Sequence, residues 1–305
     1  MLRRLGIVDG RLVECRDADA LVHLYVAPDE QERRYLIEQL KIDEHTLNSA
    51  LDPDGQSRLE FEPDHAAIIF KRPRHYSAVD ALLFKVSSTG AFVFKDKLVV
   101  GMADEGPLFE GRSFIKLHGP REILLRLIYR SISHLVEHIK AINAISGELE
   151  QQISVSMENR YLLNLFTVEK SLVYCLNAIH TNGVLIAKLK ANARRLGLTQ
   201  EDLELLDDIP IENSQCKYQA EIYVQVLASL MDARASIITN HLDIRIKALT
   251  ILTIIIMLPT LVASMFSMNV LLPLPHDWPW SFWVITGLCL ATTAGVGTLW
   301  WKRRW

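Results

Sequence analysis

ALTILTIIIMLPTLVASMFSMN, residues 248–269, decides how the rest of the chain is read. From Ala248 to Met268 no residue carries a charge. At ~1.5 Å of rise per residue the run covers about 30 Å, the thickness of a bilayer's hydrocarbon core. It reads as a membrane span. Thr253, Met257, Thr260, Ser264 and Ser267 recur at alternating intervals of four and three, which places them on one face of a helix. The other faces are mostly Ile, Leu and Val. Such a stripe either packs against other helices or lines a wet path, and on the stripe alone both readings stand. Pro259 fits either, because spans tolerate Pro where neighbours satisfy the freed carbonyl.

A second uncharged run follows at 278–301, WPWSFWVITGLCLATTAGVGTLWW. Trp278, Trp280 and Trp283 gather at one end and Trp300, Trp301 and Trp305 at the other, the two-belt pattern of headgroup-level anchors. Ala291, Ala294, Gly295 and Gly297 would let another helix approach closely. Arg245 and Lys247 precede the first span and Lys302-Arg303-Arg304 follow the second, whereas the 269–277 loop carries only His276 and Asp277. The positive-inside rule then puts both termini in the cytoplasm and the loop outside, a multi-pass arrangement in a bacterial-type plasma membrane.

Composition narrows the remainder. The chain has 305 residues, half of them hydrophobic, and a formal charge of −3, which gives no nucleic-acid footprint. Cys15, Cys175, Cys216 and Cys289 are scattered, with no CxxC and no His at zinc-ligand spacing, and read as reduced, buried thiols. MLRRLGIVDG lacks the apolar core of a secretory signal. No GxxxxGK[ST], HExxH, GxSxG or dinucleotide fingerprint is present, and the histidines are dispersed, so the chain does not read as an enzyme.

The sequence before the spans divides by character. Residues 1–116 predict an α+β cytoplasmic domain with a mostly antiparallel sheet. Strands are expected over 21–26, 58–61, 66–71, 81–86, 91–94 and 97–102, with Ser88-Thr89-Gly90 and Asp96-Lys97 as hairpin connections. Pro28-Asp29-Glu30 opens one short helix, and a second spans 44–51 before a turn at Asp52-Pro53-Asp54-Gly55. Residues 117–208 predict long antiparallel helices. Leu124, Leu127, Ile128, Leu135, Ile139, Ile142 and Ile145 form an apolar stripe, Ser146-Gly147 is a candidate bend, and 159–189 is another amphipathic helix. Glu201, Asp202, Glu204, Asp207 and Asp208 read as a solvated, helix-starting cluster, with weak cation binding as the alternative. From 209 to 247 a stalk helix runs into the first span (248–268), and over that length it needs copies of itself to pack against.

At the end of the first span the residues Phe266-Ser267-Met268-Asn269 resemble the CorA superfamily of divalent-cation channels, whose first span ends in an aromatic residue followed by Gly-Met-Asn. The likeness extends back through Lys247-Ala248-Leu249-Thr250 and the Met257/Pro259 pair, and forward through the short loop and second span to the basic tail at 302–305. Ser267 is the departure, standing where the family has Gly.

The resemblance implies a funnel-shaped homopentamer in which the first spans line a pore and the second spans form an outer ring. It implies Mg2+ as the transported ion and as a regulatory ligand, and no other cofactor. Asn269, Met268 and Ser267 would form the outer selectivity ring, and Ser264, Thr260, Met257, Thr253, Leu249 and Asp243 the pore lining. Asp243 matches a position where many relatives have Asn. Asp232 matches an acidic position that in relatives helps close the pore when cytoplasmic Mg2+ is plentiful; a solvated helix residue is the other reading. The partners implied are the chain itself, the lipid bilayer and divalent cations. A Zn2+, Co2+ or Ni2+ transporter of the same superfamily stays open through Ser267. From another class, a membrane-anchored cytoplasmic binding module stays open too, although an anchor needs neither the stripe nor Asn269.

Overall fold

Asp9-Gly10 starts the fold. Both residues take left-handed backbone (φ 50° and 72°), the conformation of a two-residue hairpin turn, and join β1 (Leu2–Val8) to β2 (Arg11–Glu14). The computed structural model describes residues 1–15, 20–76, 82–106, 108–109, 114–115, 117–155, 159–268 and 279–302. The sheet continues with β3 (Val22–Val26), β4 (Arg58–Phe61), β5 (Ala66–Pro73), β6 (Val86–Val93) and β7 (Leu98–Met102). Its order is β2-β1-β3-β7-β6-β5-β4, antiparallel throughout except where β3 meets β7.

Helix α1 (Glu30–Arg34) is capped by Asp29, whose carboxylate accepts from Glu32 N–H at 2.8 Å while Glu32 accepts from Asp29 N–H at 3.1 Å. A π-helical turn (Tyr35–Gln39) follows, then α2 (Glu44–Leu51). These helices supply Leu36, Leu40, Leu47 and Ala50 to a core closed by Tyr25, Ala67, Ile69, Phe92 and Val99 from the strands. Strand alternation sends Ile68 and Phe70 to the opposite face, which α3 (Pro120–Val155) and α4 (Asn159–Ala191) cover. Residues on both sides of position 116 therefore share one compact unit, Met1–Ala228.

Three expectations are corrected. Ser88-Thr89-Gly90 is not a turn but the middle of β6, and residues 82–85 precede that strand, with Ala81 outside the described residues. The hydroxyls that read as a loop signal are buried partners: Thr89 accepts from Arg72 Nε at 2.9 Å and Ser88 donates to Gly55 O at 3.3 Å. Gly90 is a glycine because α2 lies on it; a Cβ there would come 2.5 Å from Ala50 Cβ. Ser146-Gly147 does not interrupt α3, where Ser146 Oγ donates to Ile142 O at 2.8 Å. The stalk does not begin after Pro210. Helix α6 (Gln200–Phe266) starts eleven residues before Ile211, capped reciprocally by Thr199 and Asp202 at 2.9 and 3.2 Å, and runs through Pro210.

The acidic cluster is thus the opening of α6. Asp202 is its buried cap, and Asp207 pairs with Lys190 of α4 at 2.7 Å. Between α4 and α6 lies the short α5 (Ala193–Leu196), ended by Gly197 in left-handed backbone. Asp52-Pro53-Asp54-Gly55 is the expected turn, closed by Asp54 N–H to Asp52 Oδ1 at 2.9 Å.

The second compact unit is Ser229–Trp305. It holds the C-terminal part of α6 and α7 (Ser281–Lys302). The 269–277 loop, Trp278 and the tail beyond Lys302 lie outside the described residues.

Candidate functional site

Helix α6 ends at Phe266, with Ser267 N–H still bonding back to Ala263 O at 3.2 Å. Over its last turns Ile251, Ile255, Leu258, Pro259, Val262 and Phe266 are partly covered. Cys289 Sγ of α7 lies 3.5 Å from Pro259 O and identifies this as the side facing α7. Thr253, Met257, Thr260, Ser264 and Ser267 are all exposed. They sit two residues out of phase with the covered set, about 200° around the helix. The stripe therefore points away from α7, and packing within the hairpin does not account for it.

The two threonine hydroxyls on this face are not free donors. Thr253 Oγ1 donates to Leu249 O at 2.9 Å and Thr260 Oγ1 to Ile256 O at 2.7 Å. With its proton turned inward, each hydroxyl presents lone pairs outward. That surface accepts hydrogen bonds, as from the water shell of a cation, and offers little to an anion.

The same spacing continues towards the first unit through Thr250, Ile246, Asp243, Thr239, Ser236 and Asp232, a longer line than the sequence reading marked. Thr250, Thr239 and Ser236 donate to Ile246, Ala235 and Asp232 carbonyls at 2.9, 3.0 and 3.0 Å. The signal was legible, since the four-three alternation does not stop at the membrane boundary. Leu249, Asp243 and Asp232 are exposed, as is Met268 beyond the helix end. Asn269 lies outside the described residues. The described ones are strung along one face of α6. Among the described residues no cluster of three His, Cys, Asp or Glu has the geometry to hold a metal. Gly287, Gly295 and Gly297 of α7 have open space where a Cβ would be, so no close approach of α6 requires these glycines.

Among the described residues, three helices could cross a membrane by length and apolarity: α6, α7 and residues Arg160–Ala191 of α4. The apolar windows of α6 and α7 have no buried residue, whereas that of α4 is 44% buried. Helix α4 is a core helix. Asn182, fully buried, clamps both backbone groups of Lys71 in β5 at 2.8 Å, accepting from the N–H and donating to the carbonyl. Ser171 accepts from Phe84 N–H at 2.9 Å.

An α/β unit joined through one long helix to a two-helix apolar hairpin, with a polar acceptor line on the first hairpin helix, is the architecture of a membrane-spanning protein. A family model described as "CorA-like Mg2+ transporter protein" matches residues 22–304. The chain belongs to that family. It is 24% identical over 272 residues to the cobalt/magnesium transport protein CorA of Methanocaldococcus jannaschii, covering 86% of this chain and 83% of that one. Its fold superposes on the complete structure of the CorA magnesium transporter from M. jannaschii with a TM-score of 0.80 at 19% identity, covering 99% and 97% of the two chains. The full-length CmaX protein matches with a TM-score of 0.71 at 13% identity, covering 100% and 98%.

Proposed function

We propose that the chain assembles as a homopentamer in the cell membrane, with both termini cytoplasmic, and conducts Mg2+ inward through a pore lined by α6. The observation that carries this reading is the polar line facing away from α7. Lipid offers their outward lone pairs no donor, whereas a pore formed by copies of the same helix gives them water. The exposed apolar residues Ile237, Leu242 and Ile244 on the preceding turns of α6 supply surface for the copies to pack on.

In that assembly Asn269, with Met268 and Ser267, forms the outer ring. Mg2+ gives up its water reluctantly, so a ring of amide oxygens that accepts from the hydration shell suits it better than a tight cage. Ser264, Thr260 and Thr253 carry the hydrated ion inward by accepting from its waters. Met257 and Leu249 close the path by dewetting when the helices approach. Asp243 raises the local cation concentration near the cytoplasmic end. Asp232 carboxylates of neighbouring subunits are bridged by Mg2+ in the closed state, and loss of that ion frees the helices to open. Mg2+ is cargo and regulator; the proposal requires no other cofactor. Ser267 in place of Gly favours one alternative, a Zn2+, Co2+ or Ni2+ transporter built on the same pore.

The test is water access along α6, in a background with the four cysteines replaced. Ser264→Cys and Thr260→Cys should react with a charged thiol reagent and lose conductance. Val262→Cys, on the covered face, should do neither. Equal reactivity at all three positions would refute the pore assignment.

A further inference from the structure

Between β5, the first half of α3 and the segment after β7 lies a cavity of about 20 Å³, lined by Arg72, Arg130, Ser131, His134, Gly106 and Leu108 among others. A single water needs roughly 10–15 Å³ by the same kind of measure, so this half-open space holds one water or one monatomic ion. Gly106 keeps it open: a Cβ there would stand 3.0 Å from Arg72 Nη1.

The wall is basic. Two guanidiniums and an imidazole face the cavity, and no carboxylate is among the described residues that line it. Arg72 is only 4% exposed. Its Nε donates to Thr89 Oγ1 at 2.9 Å and its Nη2 to Asp104 O at 2.7 Å, with the Asp104 carboxylate at 3.1 Å. Nη1 gives one hydrogen to Pro73 O at 3.2 Å and has a second.

Asp104 is shared. It also faces Arg74 Nε at 3.7 Å and accepts from Ser87 Oγ at 2.5 Å, so one carboxylate serves two guanidiniums. Arg130 reaches Glu137 through Nη1 at 3.0 Å, a carboxylate 59% exposed and screened by solvent. Arg130 Nε is buried without an acceptor. Ser131 Oγ is committed to Leu127 O. His134 is held below its usual range by burial and then by Arg130, with Arg72 and His75 adding to the effect against Glu137, as expected where the local potential is positive.

We propose that this cavity is a binding site for a monatomic anion, a halide, held by Arg130 Nε and Arg72 Nη1. A water would give Arg130 Nε its acceptor; a halide would do so and also balance three guanidiniums, Arg72, Arg74 and Arg130, that share the two carboxylates Asp104 and Glu137. The ion ties α3 to β5 and to the segment after β7, independently of the ion path along α6.

Crystals of the full-length protein soaked in sodium bromide test it, with anomalous diffraction collected at the bromine edge. The proposal predicts an anomalous peak within hydrogen-bond reach of Arg130 Nε and Arg72 Nη1. It also predicts a higher thermal midpoint in potassium chloride than in potassium gluconate at equal ionic strength, a difference lost in Arg130→Met. The bromide peak in the unmodified protein stands whether or not that variant folds. Density for a water with no anomalous signal, together with equal midpoints in the two salts, would overturn it.

Discussion

His138 is nearly buried on α3, edge-on to Phe84 at 5.2 Å and 4.6 Å from the His134 ring. Burial, then the neighbouring His134, lowers its pKa from 6.5 to about 4. The unfolded chain takes up a proton there below about pH 6.5 that the folded chain refuses until about pH 4, so stability is full above this window and falls as pH drops through it. The loss at this residue is on the order of 3 kcal/mol. A thermal-midpoint series against pH should show the fall, and His138→Leu should flatten it. Asn269 belongs to the same scale: Asn269→Ala should abolish selective uptake while leaving assembly intact, read by ion flux and by the oligomer's elution in detergent. Normal selectivity in that variant would count against an amide ring. Residue identity alone misled at Gly90, which looks like a turn in sequence and is a close approach in space. Nothing within β6 announces that Ala50 will lie on it.

Short elements with a clear pattern were legible whether helix or strand. Glu44–Leu51 and Arg58–Phe61 appear with the expected bounds, because an apolar period or alternation survives in even a short run. The β1–β2 hairpin was missed although Asp9-Gly10 is a strong hairpin signal, since LRRLGIV lacks a clean apolar-polar alternation and Arg11–Glu14 is only four residues long. The stalk expected from residue 209 begins nine residues earlier, because the capping pair sits upstream at Thr199 and Asp202, and Pro210 lies inside α6. The attachment of α4 was not visible at all, since Asn182 binds backbone, which leaves no pattern in sequence. Asn182→Ala should orphan the buried Lys71 N–H and carbonyl and lower stability by about 2 kcal/mol or more, measured by thermal unfolding. Gly90→Val should be worse, because Ala50 and its helix must move.

For the whole molecule, the membrane hairpin was the most readable part, since span length and the four-three stripe are one-dimensional signals. The three-layer arrangement of helices on both faces of the sheet was not readable, because it depends on which strand faces meet which helices. Family membership joins the two levels: it makes the chain a transporter, and the outward-facing acceptor line on α6 is the path proposed for it. The most direct measurement is ion flux into proteoliposomes carrying the purified oligomer and a Mg2+-sensitive dye, repeated with Zn2+, Co2+ and Ni2+, with and without an imposed pH gradient. The account predicts Mg2+ entry down its own gradient that needs no pH gradient and disappears in Asn269→Ala. Zn2+ entry that follows the pH gradient, or no flux of any ion from a verified oligomer, would contradict it.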